Sequence, residues 1–135
     1  MSQNVTPELV GKAYEALASG DPEKVAQYWA EDMVWQVPGH NQLSGWKHGR
    51  DEFLHFMQRV GELSGGSFAM TPITVMTNNE YSCDVTNNQG TRVEDSSKKL
   101  NIDVAHVLRW KDGKVIAGKG GIMGDGTAQY DEFWS

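Results

Sequence analysis

The chain has 135 residues and a formal net charge of −6, the size of one ordinary domain. An acidic chain with no Lys/Arg cluster argues against nucleic acid and anionic membrane as partners. The single cysteine, Cys83, excludes an internal disulfide and suits a reducing cytoplasm. No apolar run of about 18 residues reads as a membrane span. The polar start MSQNVTPELV lacks the basic and apolar regions of a signal peptide, so the expected compartment is the cytoplasm.

In chain order, Thr6-Pro7-Glu8 opens a first helix as N-cap and first-turn proline. Leu9, Val10, Ala13, Ala16 and Leu17 recur along it at helical spacing. Ser19-Gly20 ends it, and Asp21-Pro22-Glu23 starts a second, shorter helix with Val25, Tyr28 and Trp29 on its apolar side. Met33 to Val37 is rich in β-formers and stops at Pro38-Gly39. Alternation puts Trp35 and Val37 on one face of that strand with Met33.

Residues 38–50 read as a Gly-rich loop carrying His40, Trp46 and His48. Loops beside a cavity supply binding groups, which makes His40 and Trp46 candidates for ligand contact. Gly49-Arg50-Asp51-Glu52 leads into a third helix with Phe53, Leu54, Phe56, Met57 and Val60 as its apolar face, broken from Gly61 to Ser67. The rest reads as strands: 68–77, a turn at Asn78-Asn79, then 81–88, with 87–97 as a long polar hairpin tip. Tyr81, Cys83 and Val85 share one face of the second of these, opposite Ser82, Asp84 and Thr86. The glycines 118, 120 and 121 of the last strand, 115–123, point to a bend, a bulge or a close neighbour.

Lys98 to Val115 holds the longest alternation. Leu100, Ile102, Val104, His106, Leu108 and Trp110 fall on one side, and Lys111-Asp112-Gly113-Lys114 is a hairpin turn. The one polar residue on that apolar face is His106, and a buried imidazole needs a partner or a ligand. With an unperturbed pKa of about 6.5, imidazole exchanges protons near neutrality. Held in an apolar cavity by a carboxylate, it can remove a proton α to a carbonyl. His40, His48 and His55 lack zinc-type spacing and no cysteine pair supports them, so no metal is expected. Helices followed by a run of strands make one α+β domain over residues 1–135, its curved sheet packed on helices around a concave apolar pocket.

The segments AYEALASGDPEKVAQYWAEDMVW, PG…SGWKHGRDEF, HVLRWKDGKV and D…YDEFWS resemble the SnoaL-like branch of the NTF2-like superfamily. That superfamily includes ketosteroid isomerase, polyketide cyclases, scytalone dehydratase and limonene epoxide hydrolase. The resemblance covers nearly the whole chain and implies a cone: a curved, largely antiparallel (mixed) sheet wrapped around three N-terminal helices. It places Val37 where the isomerase has its carboxylate base, and Ala13 where it has its oxyanion tyrosine, with Tyr14 one residue off. Tyr14 either packs in the core or donates its hydroxyl inward. His106 occupies the position of the second oxyanion acid and of the acid/base Asp of the cyclases.

The resemblance further implies that Asp125, just before the aromatic tail, orients His106; the aromatic residues Phe133 and Trp134 are expected to close one end of the cavity or pack on the sheet. The expected protein is thus a small cofactor-independent enzyme with His106 and Asp125 as its catalytic pair. It would act by proton transfer on a hydrophobic carbonyl-bearing molecule, as an isomerase, cyclase or dehydratase does. Trp35, Val37, Trp46, Tyr14, His40 and Phe133 would surround the substrate, and a homodimer would form through the outer sheet face. The alternative is a non-catalytic small-molecule binder, which the apolar Val37 favours.

Overall fold

The structure, a computed structural model, describes residues 4–135. Residues 1–3, the beginning of the polar N-terminal stretch, lie outside the described residues. Helix α1 (Pro7–Ser19) starts as its cap predicts, with the Thr6 hydroxyl accepting from the Leu9 N–H at 3.1 Å, and ends on Gly20 at φ 68°. Helix α2 (Pro22–Tyr28) is capped by Asp21, which accepts from the Glu23 N–H at 3.0 Å. Helix α3 (Arg50–Ser64) runs past Gly61 and stops at Gly65, φ 59°. Gly61 is exposed, so it costs the helix some propensity but no packing, and the left-handed stop falls to Gly65 instead.

Six strands form one sheet in the order β2-β1-β6-β5-β4-β3. They are β1 (Trp29–Val37), β2 (Gly45–His48), β3 (Ala69–Thr77), β4 (Tyr81–Thr91), β5 (Lys99–Lys111) and β6 (Lys114–Ile122). Only β1 and β6 run parallel. The β5–β6 hairpin turns on Asp112 (φ 52°) and Gly113 (φ 79°), the left-handed pair that a two-residue turn requires.

Three expectations are corrected. The 38–50 loop contains edge strand β2, which pairs with β1 from Val34↔His48 to Val37↔Gly45. The tip expected at 87–97 is shorter: β4 continues to Thr91, and the Arg92 N–H bonds to the Lys98 carbonyl at 3.0 Å. The aromatic tail is a helix, α4 (Thr127–Trp134).

The inward face of β5 is the expected one, with Leu100, Ile102, Val104, His106, Leu108 and Trp110 all buried. Against it pack Trp29, Met33, Phe53 and the helices; the Trp29 and Phe53 rings stack 5.1 Å apart. Gly118 on β6 is there for close approach. A Cβ at that position would lie 2.5 Å and 2.7 Å from atoms of the Trp35 ring, so only glycine lets the indole lie on the sheet. Among the described residues no helix is long and apolar enough to cross a membrane.

Candidate functional site

Between α1, α3, α4 and the concave face of the sheet lies an apolar cavity, of which about 70 Å³ can hold the centre of a water molecule. At roughly 15 Å³ per water that is room for several. Its helical side is Tyr14 and Leu17 of α1, Phe53, Phe56, Met57 and Val60 of α3, and Tyr130 and Trp134 of α4. Trp35, Val37, Met70, Asn88, Val104, His106 and Gly120 supply the sheet side. Four candidates from the sequence therefore line this one cavity, His106, Trp35 and Val37 from the sheet and Tyr14 from α1.

His106 sits where β5 passes Gly120 of β6 on one side and Asp84 of β4 on the other. Its Nδ1 lies 2.9 Å from Asp84 Oδ1, and the two side chains are 8% and 3% exposed. The second carboxylate oxygen, Oδ2, accepts from the Tyr14 hydroxyl at 2.7 Å. One buried carboxylate thus ties a helix to the middle of the sheet. Burial first, then the Asp84 charge and the hydrogen bond to it, hold the Tyr14 phenol well above its ordinary value, so Tyr14 stays a donor. With Asp84 ionised, Nδ1 carries the hydrogen and Nε2 presents a lone pair. No hydrogen bond within the described residues engages Nε2. Trp35 flanks the imidazole at 5.9 Å between ring centroids and Tyr14 at 6.2 Å.

Four other candidates lie elsewhere. Asp125 is exposed in the turn after β6 and borders an outer groove with Asn87, Asn101 and Asp103. Those three alternate with the inward residues of β4 and β5, so Asp125 is on the wrong side of the sheet to orient His106; Asp84 does that. Trp46 is on edge strand β2, 52% exposed, beside an outer groove with Lys47 and His55. His40 is exposed, held by its backbone N–H on Asp131 Oδ1 at 2.8 Å. Asp131 also accepts from Asn41 Nδ2 at 2.9 Å, so it latches this loop to α4. Phe133 is buried but packs edge-on against Trp134 at 4.7 Å, away from the cavity wall; its neighbours Tyr130 and Trp134 take that place.

The sequence reading passed over Asp84 and Asn88. Their strand has an inward row that is polar throughout, Ser82, Asp84, Thr86 and Asn88, all buried. Ser82 accepts the Trp110 indole N–H at 2.9 Å, and the Thr86 hydroxyl donates to Asn88 Oδ1 at 2.7 Å. Among the described residues no cluster of three or more His, Cys, Asp and Glu is placed to hold a metal ion.

A curved mixed sheet closed over helices around one apolar cavity is the NTF2-like cone. The chain belongs to the SnoaL-like family, whose profile matches residues 10–117; cyclases and isomerases are among its members. It is similar to Bal32a, from a soil-derived mobile gene cassette, with 26% identity over 95% of both chains and a TM-score of 0.84. A cystatin-like-fold protein of unknown function from Xanthomonas campestris shares 21% identity over 95% of this chain and 96% of its own, with a TM-score of 0.81. TerC, co-crystallised with polyporic acid, shares 19% over 93% and 95%, with a TM-score of 0.76. These likenesses carry the fold. No curated protein matches the chain.

Proposed function

We propose that the protein is a cofactor-independent acid/base enzyme acting on a hydrophobic, carbonyl-bearing small molecule, of the isomerase, cyclase or dehydratase type. The observation that carries this is the hydrogen-bonded chain from Tyr14 through Asp84 to His106 in the wall of an otherwise apolar cavity. His106 Nε2 takes the proton from the carbon α to the carbonyl, and the electron pair moves onto the carbonyl oxygen as the enolate forms. The imidazolium, stabilised by Asp84, then returns the proton to the same or a conjugated carbon. Tyr14 is a positioning residue, since its only hydrogen is committed to Asp84.

The test is α-proton exchange of benzylacetone in deuterated buffer, followed by proton NMR. The wild-type protein should exchange it and His106→Gln should lose about two to four decades of rate. Equal rates in the two proteins would refute the mechanism. A second reading, a binder without catalysis, is favoured by Val37, whose apolar side chain stands in the cavity wall; a binder holds benzylacetone without exchanging it. We also propose a homodimer through the outer sheet face. It is supported by an apolar row across three strands, in which Met76 pairs with Cys83 and Cys83 with Val107.

A further inference from the structure

The cavity has two polar ends. Asn88 lies four residues beyond Asp84 on β4, paired with Met70 on β3 and Ile102 on β5. At ~3.4 Å per residue that is about 13 Å along the strand from the His106–Asp84 pair. Between the ends the sheet side of the wall carries Val104, and Thr86 is spent on Asn88. The Asn88 oxygen accepts from Thr86, which leaves the amide N–H groups without a hydrogen-bond partner among the described residues. Trp134 lines the same cavity, is 1% exposed, and its indole N–H is buried with no partner. Phe68, which packs on Trp134 at 5.9 Å, joins it in the wall. The cavity wall therefore carries a free Asn88 amide at the end remote from the imidazole, and a lining residue, Trp134, whose buried indole N–H has no acceptor. A buried donor left unmade, as at Trp134, is costly, and a fold that keeps it and the free Asn88 amide beside one cavity is built to receive an acceptor.

We infer that the ligand is elongated and largely apolar, with its reacting carbonyl carbon skeleton at His106 and a second oxygen acceptor, a carbonyl or ether, on Asn88 and Trp134. The inference rests on the proposed proton-transfer reading for which end reacts; the recognition of the far oxygen stands on the two free donors alone. The probes are para-ethylbenzylacetone and anisylacetone, which differ only in a CH₂ replaced by an aryl ether oxygen at the end opposite the ketone. Isothermal titration should show anisylacetone binding at least about fivefold more tightly to the wild-type protein. In Asn88→Leu the ratio should fall to near one, and in Trp134→Phe it should fall in the same direction. Circular dichroism of both variants identifies any that has not folded, and the comparison then rests on the other.

Equal affinity of the two ketones for the wild-type protein overturns the inference, as does a ratio unchanged in the folded variants or binding of neither ketone. Exchange at the α-carbon is scored separately. A preference for anisylacetone without exchange sinks the catalytic reading and keeps the two-ended site. Exchange without preference does the reverse.

Discussion

Asp84→Asn separates the roles of this site most sharply. The carboxylate accepts from Tyr14 at 2.7 Å and pairs with His106 at 2.9 Å; hydrogen bonds to a charged group are worth about 1.5–3 kcal/mol each. Asparagine keeps the volume but has one acceptor oxygen. Tyr14 can only donate inward, so the amide oxygen stays with it and the amide N–H₂ faces His106 Nδ1. The imidazole can meet that donor only as an acceptor, so its hydrogen moves to Nε2 and the ring presents a donor to the cavity in place of a lone pair. The two bonds together weaken by about 2 kcal/mol on becoming neutral. Against this, a carboxylate 3% exposed is no longer held out of water, a relief of comparable size.

Stability should therefore move by no more than about 2 kcal/mol. Loss of the correct tautomer in a Ser-His-Asp triad costs about four decades in rate, or about 5.5 kcal/mol of barrier. Nitrogen-15 chemical shifts of the imidazole, read from long-range proton–nitrogen correlation spectra, report the tautomer directly, and a thermal melt reports the fold. The expected result is a folded variant with the two ring nitrogens exchanged in character and benzylacetone exchange abolished. Unchanged ring nitrogens in a folded Asp84→Asn protein would refute the reasoning.

Alkaline solution should destabilise the fold in a way that two phenols account for. Burial, and then a nearby carboxylate, raise both Tyr14 (Asp84) and Tyr130 (Asp131) above the ordinary 10.0. Their contribution is complete below about pH 10. Above it the unfolded chain releases protons that the folded chain keeps, and stability falls by up to about 1.4 kcal/mol per pH unit for each phenol. Urea melts at rising pH should show that slope, smaller in Tyr14→Phe; a flat profile contradicts it. On the outer face, light scattering after size exclusion should give a dimer at micromolar concentration. Val107→Asp, which puts a charge at the β5 end of the Met76–Cys83–Val107 row, should give a monomer, and a monomeric wild-type protein at every concentration removes the dimer.

The parts of this fold that the sequence announced are those fixed by local chemistry. Caps at Thr6 and Asp21, the Asp112-Gly113 turn and the alternation around His106 depend on neighbours in the chain. What stayed hidden depended on register. A hairpin tip centred on residue 92, as the polar run 87–97 suggests, would set Asp84 opposite Leu100. The actual turn closes Arg92 on Lys98 and is centred on residue 95, and that shift of three residues brings Asp84 opposite His106. The polarity of the strand misled in the same way. Its more apolar set, Tyr81, Cys83 and Val85, faces outward, and Ser82, Asp84, Thr86 and Asn88 face the core. Hydrophobic patterning assumes that the greasier side is the buried one, and a strand whose inner side lines a ligand cavity breaks that assumption. The two placements at Trp46 and His40 failed because an edge strand and a latched loop both turn their side chains outward.

The inward row of β4 also shows how the stabilising and the chemical duties of one strand are divided. Ser82 is satisfied by an indole N–H from the core, and Asp84 by two donors from separate elements. Thr86 is satisfied by Asn88, but the Asn88 amide keeps donors to spare, and the Trp134 indole N–H is buried without an acceptor. Satisfaction is thus complete at the end that holds the sheet together and incomplete at the end nearest α4. A buried donor without an acceptor, as at Trp134, costs about 1–3 kcal/mol, which a domain of modest stability does not retain at random. The same free energy is recovered when an acceptor enters. In that sense the deficit at Asn88 and Trp134 is affinity held in reserve, whereas the completed bonds at Asp84 give the rigidity that keeps one nitrogen of His106 aimed at whatever fills the space between.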